Sequence, residues 1–106
     1  MQFGLSTATL QTIQSVFECN PKIESAVIYG SRAKGNFKAG SDIDIVLFGN
    51  NLELSDLFEI ETRLSDTFLP YTFDLSIHHH HKNKELLEHI DTVGKLFYKK
   101  MKINLT

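Results

Sequence analysis

Apolar residues recur along this chain at two different spacings, and the change from one to the other marks the predicted elements. A spacing of three to four residues is typical of a helix that buries one face. It predicts three helices, beginning after Ser6, Ser55 and Asn83, three residues of types that cap helices. Their predicted buried stripes are Leu10, Ile13, Val16 and Phe17; then Leu57, Ile60, Leu64 and Phe68; and finally Leu86, Leu87, Ile90 and Val93.

Strand patterns lie between these helices. Residues 25–29 form a short apolar run that ends at Gly30, whereas residues 41–48 and 71–77 alternate between apolar and polar positions. Residues 95–98 fit either an extension of the last helix or an edge strand. Helices that alternate with short strands predict an α/β sandwich in one domain over residues 1–106, with the strand order left open.

Composition narrows the possible partners. The chain has 106 residues, of which 42% are hydrophobic and 23% charged, and its formal net charge is -2. A protein that coats DNA needs many Lys and Arg contacts to phosphate, so direct DNA binding is not expected.

Cys19 is the single cysteine and cannot form an intramolecular disulfide. No apolar run reaches the roughly 18 residues of a membrane span, so we expect a soluble, cytoplasmic protein.

Two acids on one predicted strand are the clearest chemical signal. Asp42 and Asp44 are two residues apart, so their side chains lie on the same face with Cα atoms about 6.5 Å apart. Two adjacent carboxylates repel each other unless a cation lies between them. Mg²⁺ is usually held by one or two carboxylates together with substrate phosphates, so this pair predicts a site for a metal-bound triphosphate.

The turn after the first strand is a candidate phosphate site. Gly30 and Ser31 come just before a short predicted helical turn, where backbone N–H groups and a hydroxyl can approach phosphate oxygens. Arg32 and Lys34 are close enough to neutralise phosphate, although solvated basic residues fit this position equally well. The segment 31–40 as a whole is polar and is predicted to lie outside the core.

Asp74 lies on the polar face of the third predicted strand. If that face adjoins Asp42 and Asp44, a third carboxylate could hold a second metal or accept a proton from an attacking hydroxyl. The alternative is an ordinary solvent-facing acid on a half-buried strand. Asp42 has a comparable alternative as a turn residue after Gly40.

Other motifs fit the sequence less well. The spacing of GSRAKG is that of a phosphate loop, but Asn36 and Phe37 replace the Lys and Ser/Thr which that motif needs. An EF-hand beginning at Asp42 would have Leu47 where a glycine is required. The four histidines at 78–81 point to alternate sides of an extended segment and are assigned to a surface loop.

A specific resemblance is carried by the stretch GSRAKGNFKAGSDIDIVLF. It resembles the signature of the DNA polymerase β nucleotidyltransferase superfamily, and is most similar to the minimal nucleotidyltransferases. The resemblance implies a single-domain α/β fold with a mixed sheet and helices packed on one side. The implied metal ligands and catalytic acids are Asp42, Asp44 and Asp74. The implied nucleotide-binding residues are Gly30, Ser31, Arg32 and Ser41.

The same resemblance implies a function. Members of this subgroup use ATP and two Mg²⁺ ions, and many are antitoxins that adenylylate a tyrosine of a helical HEPN-type toxin with which they form a hetero-oligomer. The leading hypothesis is therefore AMP transfer from ATP to such a partner. The alternatives are AMP transfer to a small molecule such as an aminoglycoside, and a nucleotide-binding antitoxin subunit that does not catalyse. Phe37 and the histidine run depart from the family pattern.

Overall fold

The computed structural model describes residues 2–100, in which four strands and four α-helices alternate along the chain. In chain order these are α1 (Thr7–Glu18), β1 (Ser25–Tyr29), α2 (Gly30–Lys34), β2 (Ile43–Phe48), α3 (Leu54–Ser65), β3 (Phe73–Ile77), α4 (Lys84–Val93) and β4 (Lys95–Lys99). Residues 78–80 form a single 3₁₀ turn. The predicted helices and strands are thus present, and residues 101–106 of the final segment lie outside the described residues.

The four strands form one mixed sheet in the order β3-β2-β1-β4. β1 is antiparallel to both of its neighbours, β2 and β4, whereas β2 and β3 are parallel. A parallel pair needs a crossover connection, and α3 supplies it between β2 and β3. The structure confirms the predicted α/β class and the mixed sheet.

The two faces of the sheet carry different helices. α1 and α3 cover one face and enclose the main core with it. The fully buried side chains of this core include Leu5, Ile13, Phe17, Ile23, Ile28, Ile43, Ile45, Leu47, Ile60 and Ile77. The expectation of helices on one side holds for α1 and α3, but α4 packs against the other face. There its His89 ring meets Tyr29, and Gly94 lies against Val27.

The first and last α-helices begin where the sequence predicts. The Ser6 hydroxyl accepts a hydrogen bond from the Thr9 N–H at 3.1 Å, and the Asn83 amide oxygen accepts one from the Glu85 N–H at 2.9 Å. Both contacts satisfy N–H groups that have no partner within the helix. The predicted apolar stripe of α1 is buried throughout, whereas α4 buries Ile90 and only part of its other apolar residues.

Two predictions about the ends of α3 are wrong. Its N-cap is Glu53 rather than Ser55, because Glu53 and Asp56 form a reciprocal capping box across the first turn. The helix also ends at Ser65, before the predicted stripe reaches Phe68. Phe68 has a positive φ of 56° and is 91% exposed, so it is not a core residue.

Asp56 connects this helix start to the segment before β1. Its carboxylate accepts hydrogen bonds from the Glu53 N–H at 2.8 Å and the Asn20 amide at 3.0 Å, and it pairs with the Lys22 ammonium at 3.3 Å. The first of these contacts does most to hold the pKa of Asp56 below its usual range. A short acidic side chain therefore anchors two distant segments.

We expect Asp56→Ala to lower the free energy of unfolding by about 2 kcal/mol, because it removes the cap and leaves buried donors unpaired. Ser55→Ala is the matched control: Ser55 is exposed in the same turn, and the change should stay within about 0.5 kcal/mol. Urea denaturation measures both. A larger effect at Ser55 than at Asp56 would contradict this description of the cap.

Residues 95–98, which could extend the last helix or form an edge strand, belong to a strand. β4 pairs antiparallel with β1 at the edge of the sheet, and the register shifts between Ala26 and Val27. At this bulge two consecutive residues, Phe97 and Tyr98, are both buried, and both rings contact Phe17. Packing on α1 thus favours a strand here over an extension of α4.

Candidate active site

Three carboxylates lie at one end of the sheet, on the face opposite α1 and α3. In the parallel register Asp44 is paired with Asp74, so two neighbouring strands present acids side by side, about 4.8 Å apart in backbone position. Asp42 precedes β2 by one residue. Asp42 and Asp74 are exposed, whereas Asp44 is half-buried. The adjacency of Asp74, which the sequence left open, is set by this register.

Asp44 is under electrostatic strain. Burial raises the pKa of its carboxyl group, and so do the negative charges of Asp74 and Asp42 and its contact with Asp74. The nearby His89 acts in the opposite direction. A cation between the carboxylates would relieve this repulsion, which is what a metal-binding group of acids requires.

This strain predicts a pH-dependent stability in metal-free buffer. The unfolded chain releases the Asp44 proton near pH 3.9, whereas the folded chain retains it to higher pH because the folded-state pKa is raised. Between the two pKa values the folded state binds more protons, so this group makes the free energy of unfolding fall as pH rises. Solvent screens this half-exposed group, so the contribution stays below about 1 kcal/mol.

Urea titrations from pH 4 to pH 7, in roughly unit steps and with EDTA present, test this sign. The Asp44→Asn variant is the comparison, because it keeps every other titrating group and lacks this one. The difference in stability between parent and variant should shift in favour of the variant as pH rises. A difference that stays constant over this range would contradict the assigned environment of Asp44.

Gly30 lies directly against the acids. Its φ is 71°, a conformation that residues with a Cβ rarely adopt, and a methyl group there would overlap the Asp44 carboxylate. β1 ends at Tyr29 and α2 begins at Gly30, so the turn brings Ser31 to the same end of the sheet. The structure therefore places the predicted phosphate turn next to the predicted metal ligands.

Arg32 and Ser41 have clear structural partners. Arg32 is only 2% exposed, although its segment is predicted to be outside the core, and its guanidinium donates to the backbone carbonyls of Ser41, Phe3 and Ala39. The Ser41 hydroxyl accepts a hydrogen bond from the Lys38 N–H at 2.8 Å. Both side chains thus shape the loop before Asp42, while Lys34 is exposed at the end of α2.

Two residues at the site are missed by sequence reasoning. Tyr29 pairs with Asp44 in the antiparallel register of β1 and β2, and burial raises the pKa of its hydroxyl. His89 on α4 lies edge-on to the Tyr29 ring, with centroids 6.2 Å apart. The proximity of Tyr29 requires knowledge of the hairpin register, and that of His89 requires the position of α4. No local motif indicates either residue.

The histidine run lies at the opposite end of β3 from Asp74. His78 stacks on Phe48 with ring centroids 4.3 Å apart, and His79 and His80 are exposed. Within residues 2–100 no three or more His, Cys, Asp or Glu side chains converge as a ready-made metal site. The acids nevertheless suit Mg²⁺ chemically, because two adjacent carboxylates with mutual repulsion leave the remaining ligand positions to phosphate and water.

Comparison with known proteins identifies the family. Residues 11–103 match the family described as polymerase beta, nucleotidyltransferase. The chain belongs to this nucleotidyltransferase family. The match runs from the middle of α1 through β4 and includes the Gly30 turn and all three acids. It confirms the resemblance inferred from the Gly-Ser and Asp-x-Asp motifs.

Solved structures with this nucleotidyltransferase fold include toxin–antitoxin assemblies. A toxin–antitoxin structure with AMP-PNP has a TM-score of 0.70 at 24% identity, covering 86% of this chain and 73% of the other. A complex of a tri-AMPylated Shewanella oneidensis HEPN toxin with an MNT antitoxin has a TM-score of 0.66 at 19% identity, covering 91% and 74%. An MntA-HepT structure has a TM-score of 0.65 at 21% identity, covering 90% and 74%.

No curated protein sequence matches the nucleotidyltransferase chain significantly. Among residues 2–100, no helix has the length and apolar character that crossing a membrane requires.

Proposed function

We propose that this chain transfers AMP from ATP to a hydroxyl group, and that the acceptor is a tyrosine on a helical HEPN-type toxin that it neutralises. The observation that carries the proposal is the parallel register that pairs Asp44 with Asp74 beside the Gly30 turn. Family membership supports nucleotidyl transfer as the reaction class. The AMP-PNP and AMPylated-toxin assemblies of the same fold support ATP and a toxin as substrates.

Each residue has a defined part in this proposal. Asp42, Asp44 and Asp74 would hold Mg²⁺, which when bound neutralises charge on the triphosphate and the departing pyrophosphate. The absence of a Cβ at Gly30 leaves room for the Asp44 carboxylate against the Gly30–Ser31 turn, whose backbone N–H groups would bind the phosphate oxygens. We assign to Asp74, which is exposed beside Asp44, the role of accepting the proton of the attacking hydroxyl.

The bonds in the reaction balance without a further reactant. The acceptor oxygen forms a bond to the α-phosphorus, and the bond from that phosphorus to the pyrophosphate oxygen breaks. The hydroxyl proton passes to a carboxylate and then to solvent. In-line geometry is needed for this displacement, so the side chains that orient the phosphates matter as much as those that hold the metal.

The test combines the purified chain with Mg²⁺, ATP and, as the candidate acceptor, the protein encoded beside its gene. Intact-mass spectrometry should show the acceptor heavier by about 329 Da for each AMP added, as the assumed transfer chemistry requires. Peptide mapping then locates the modified residue. The Asp42→Ala variant is the control, and it should give no adduct.

Three outcomes revise the proposal in different ways. An adduct on a residue other than tyrosine keeps the reaction and changes the acceptor. Binding of AMP-PNP without any adduct on the partner favours a small-molecule acceptor or an antitoxin that only binds. Failure of the parent chain to bind AMP-PNP in calorimetry, with Mg²⁺ present, would refute nucleotidyl transfer.

A further inference from the structure

Arg32 is the most deeply buried charged side chain among residues 2–100. A buried cation destabilises a fold unless its donors are satisfied. Here the guanidinium donates twice to the Ser41 carbonyl, at 3.1 and 2.9 Å, and once each to Phe3, at 2.9 Å, and Ala39, at 3.4 Å. All these acceptors are backbone oxygens, and the described residues provide no carboxylate partner for this side chain.

Two aromatic rings complete the environment of the guanidinium. The rings of Phe37 and Tyr71 each have their centroid 5.2 Å from its central carbon, a distance suited to cation–π attraction. Phe37 in turn packs so closely on Gly4 that a methyl group there would overlap its ring. An apolar residue in a polar loop, unexpected in the family pattern, is therefore explained by the cover it gives to Arg32.

Arg32 and its contacts connect three segments that carry candidate site residues. Arg32 itself directly follows the Gly30–Ser31 turn, and Ser41 directly precedes Asp42. Tyr71 leads into β3, and the next residue, Thr72, accepts a hydrogen bond from the Ile43 N–H at 2.9 Å. One side chain thus joins the phosphate turn, the Asp42 loop and the segment that leads to Asp74.

We propose that Arg32 is a positioning residue that fixes Asp42 relative to the Gly30–Ser31 turn before nucleotide binds. Its effect on nucleotide binding rests on the proposed function, whereas its effect on the loop does not. Lysine cannot replace it, because both bonds to the Ser41 carbonyl come from the planar guanidinium fork, and a single ammonium has no equivalent. Partners that orient metal ligands typically change metal affinity or activity by 10- to 100-fold when lost.

The test compares Arg32→Lys with Ile60→Val at a temperature where circular dichroism shows both to be folded. Ile60 is fully buried in α3 and takes no part in the hydrogen bonds of Arg32, so its substitution reduces core stability while leaving those bonds in place. The first measurement is hydrogen–deuterium exchange over residues 35–44 of the nucleotide-free protein. The second is calorimetric affinity for Mn²⁺ and for Mg²⁺ with AMP-PNP.

Arg32→Lys should exchange faster over residues 35–44 and bind the metal-nucleotide about 10- to 100-fold more weakly. Ile60→Val should match the parent in both measurements. Parent-like exchange and affinity in Arg32→Lys would overturn the proposal, and so would an equal loosening of the loop in Ile60→Val.

The test still decides if the Arg32→Lys variant does not fold or if the parent chain binds no nucleotide. If Arg32→Lys does not fold, Phe37→Leu removes one covering ring, leaves the guanidinium in place and should give the same pattern in weaker form. If the parent chain binds no nucleotide, the proposed function fails, and exchange over residues 35–44 alone decides whether Arg32 holds the loop.

Discussion

Asp44→Asn is expected to reduce AMP transfer about 1,000-fold, equal to about 4 kcal/mol, while the protein remains folded. The amide keeps the size of the side chain but loses the negative charge that would hold a metal-bound triphosphate. The same loss of charge removes the repulsion with Asp74 and Asp42, so the midpoint of thermal unfolding should rise by about 2–4 °C in metal-free buffer. Activity and stability thus change in opposite directions.

Asp66→Asn is the matched control for this prediction. Asp66 is an exposed acid at the C-terminal end of α3, which packs on the opposite face of the sheet from the three carboxylates. Its substitution removes the same charge and should leave the transfer rate near that of the parent. Steady-state rates and differential scanning calorimetry measure the two effects. Retention of more than about a tenth of the activity by Asp44→Asn would argue against Asp44 as a metal ligand.

Gly30→Ala is expected to reduce transfer by about 100-fold and the free energy of unfolding by about 2 kcal/mol. Two causes combine. Alanine is strained at a φ of 71°, and its methyl group would overlap the Asp44 carboxylate and displace it. A displacement of about 1 Å at a group that positions substrate is enough for a rate loss of this size.

Gly35→Ala separates the two causes. Gly35 also has a positive φ, 87°, but a Cβ there would meet no atom within 4 Å. It should therefore lose about 1 kcal/mol from backbone strain alone while retaining most of the transfer activity. Denaturation curves and initial rates for both variants provide the comparison. Equal rate losses at Gly30 and Gly35 would show that strain, rather than the position of Asp44, governs activity.

The candidate site contains two kinds of residue: acids that destabilise the metal-free fold, and Arg32, which stabilises it. The acids are a local cluster whose repulsion weakens the metal-free fold, and such strain is common where function requires converging like charges. Arg32 has the opposite effect on stability, because its hydrogen bonds and the two rings that cover it stabilise the loop that carries one of those acids. The loop that carries Asp42, one of the mutually repelling acids, is thus stabilised by the hydrogen bonds of Arg32.

Much of the fold follows from patterns within a few residues. The bounds of β1, the stripe of α1 and the caps at Ser6 and Asn83 are as predicted, because propensity, capping and alternation are local properties of the chain. The start of α3 is different: Glu53 and Asp56 cap each other, and Asp56 gains support from Asn20 and Lys22, which lie more than thirty residues earlier. No local pattern reveals that support.

Spacing along the sequence is enough to predict an Asp-x-Asp pair on a strand and a Gly-Ser turn as candidates for chemistry. Asp74 fits a solvent-facing acid equally well until the family resemblance is considered. How these residues come together depends on contacts between distant segments. The parallel register pairs Asp74 with Asp44, and the position of α4 brings in His89. Arg32 was buried by contacts with Phe3 and Tyr71, which are distant in sequence. Side-chain chemistry is a property of single residues, whereas register and burial depend on contacts between segments that only folding brings together.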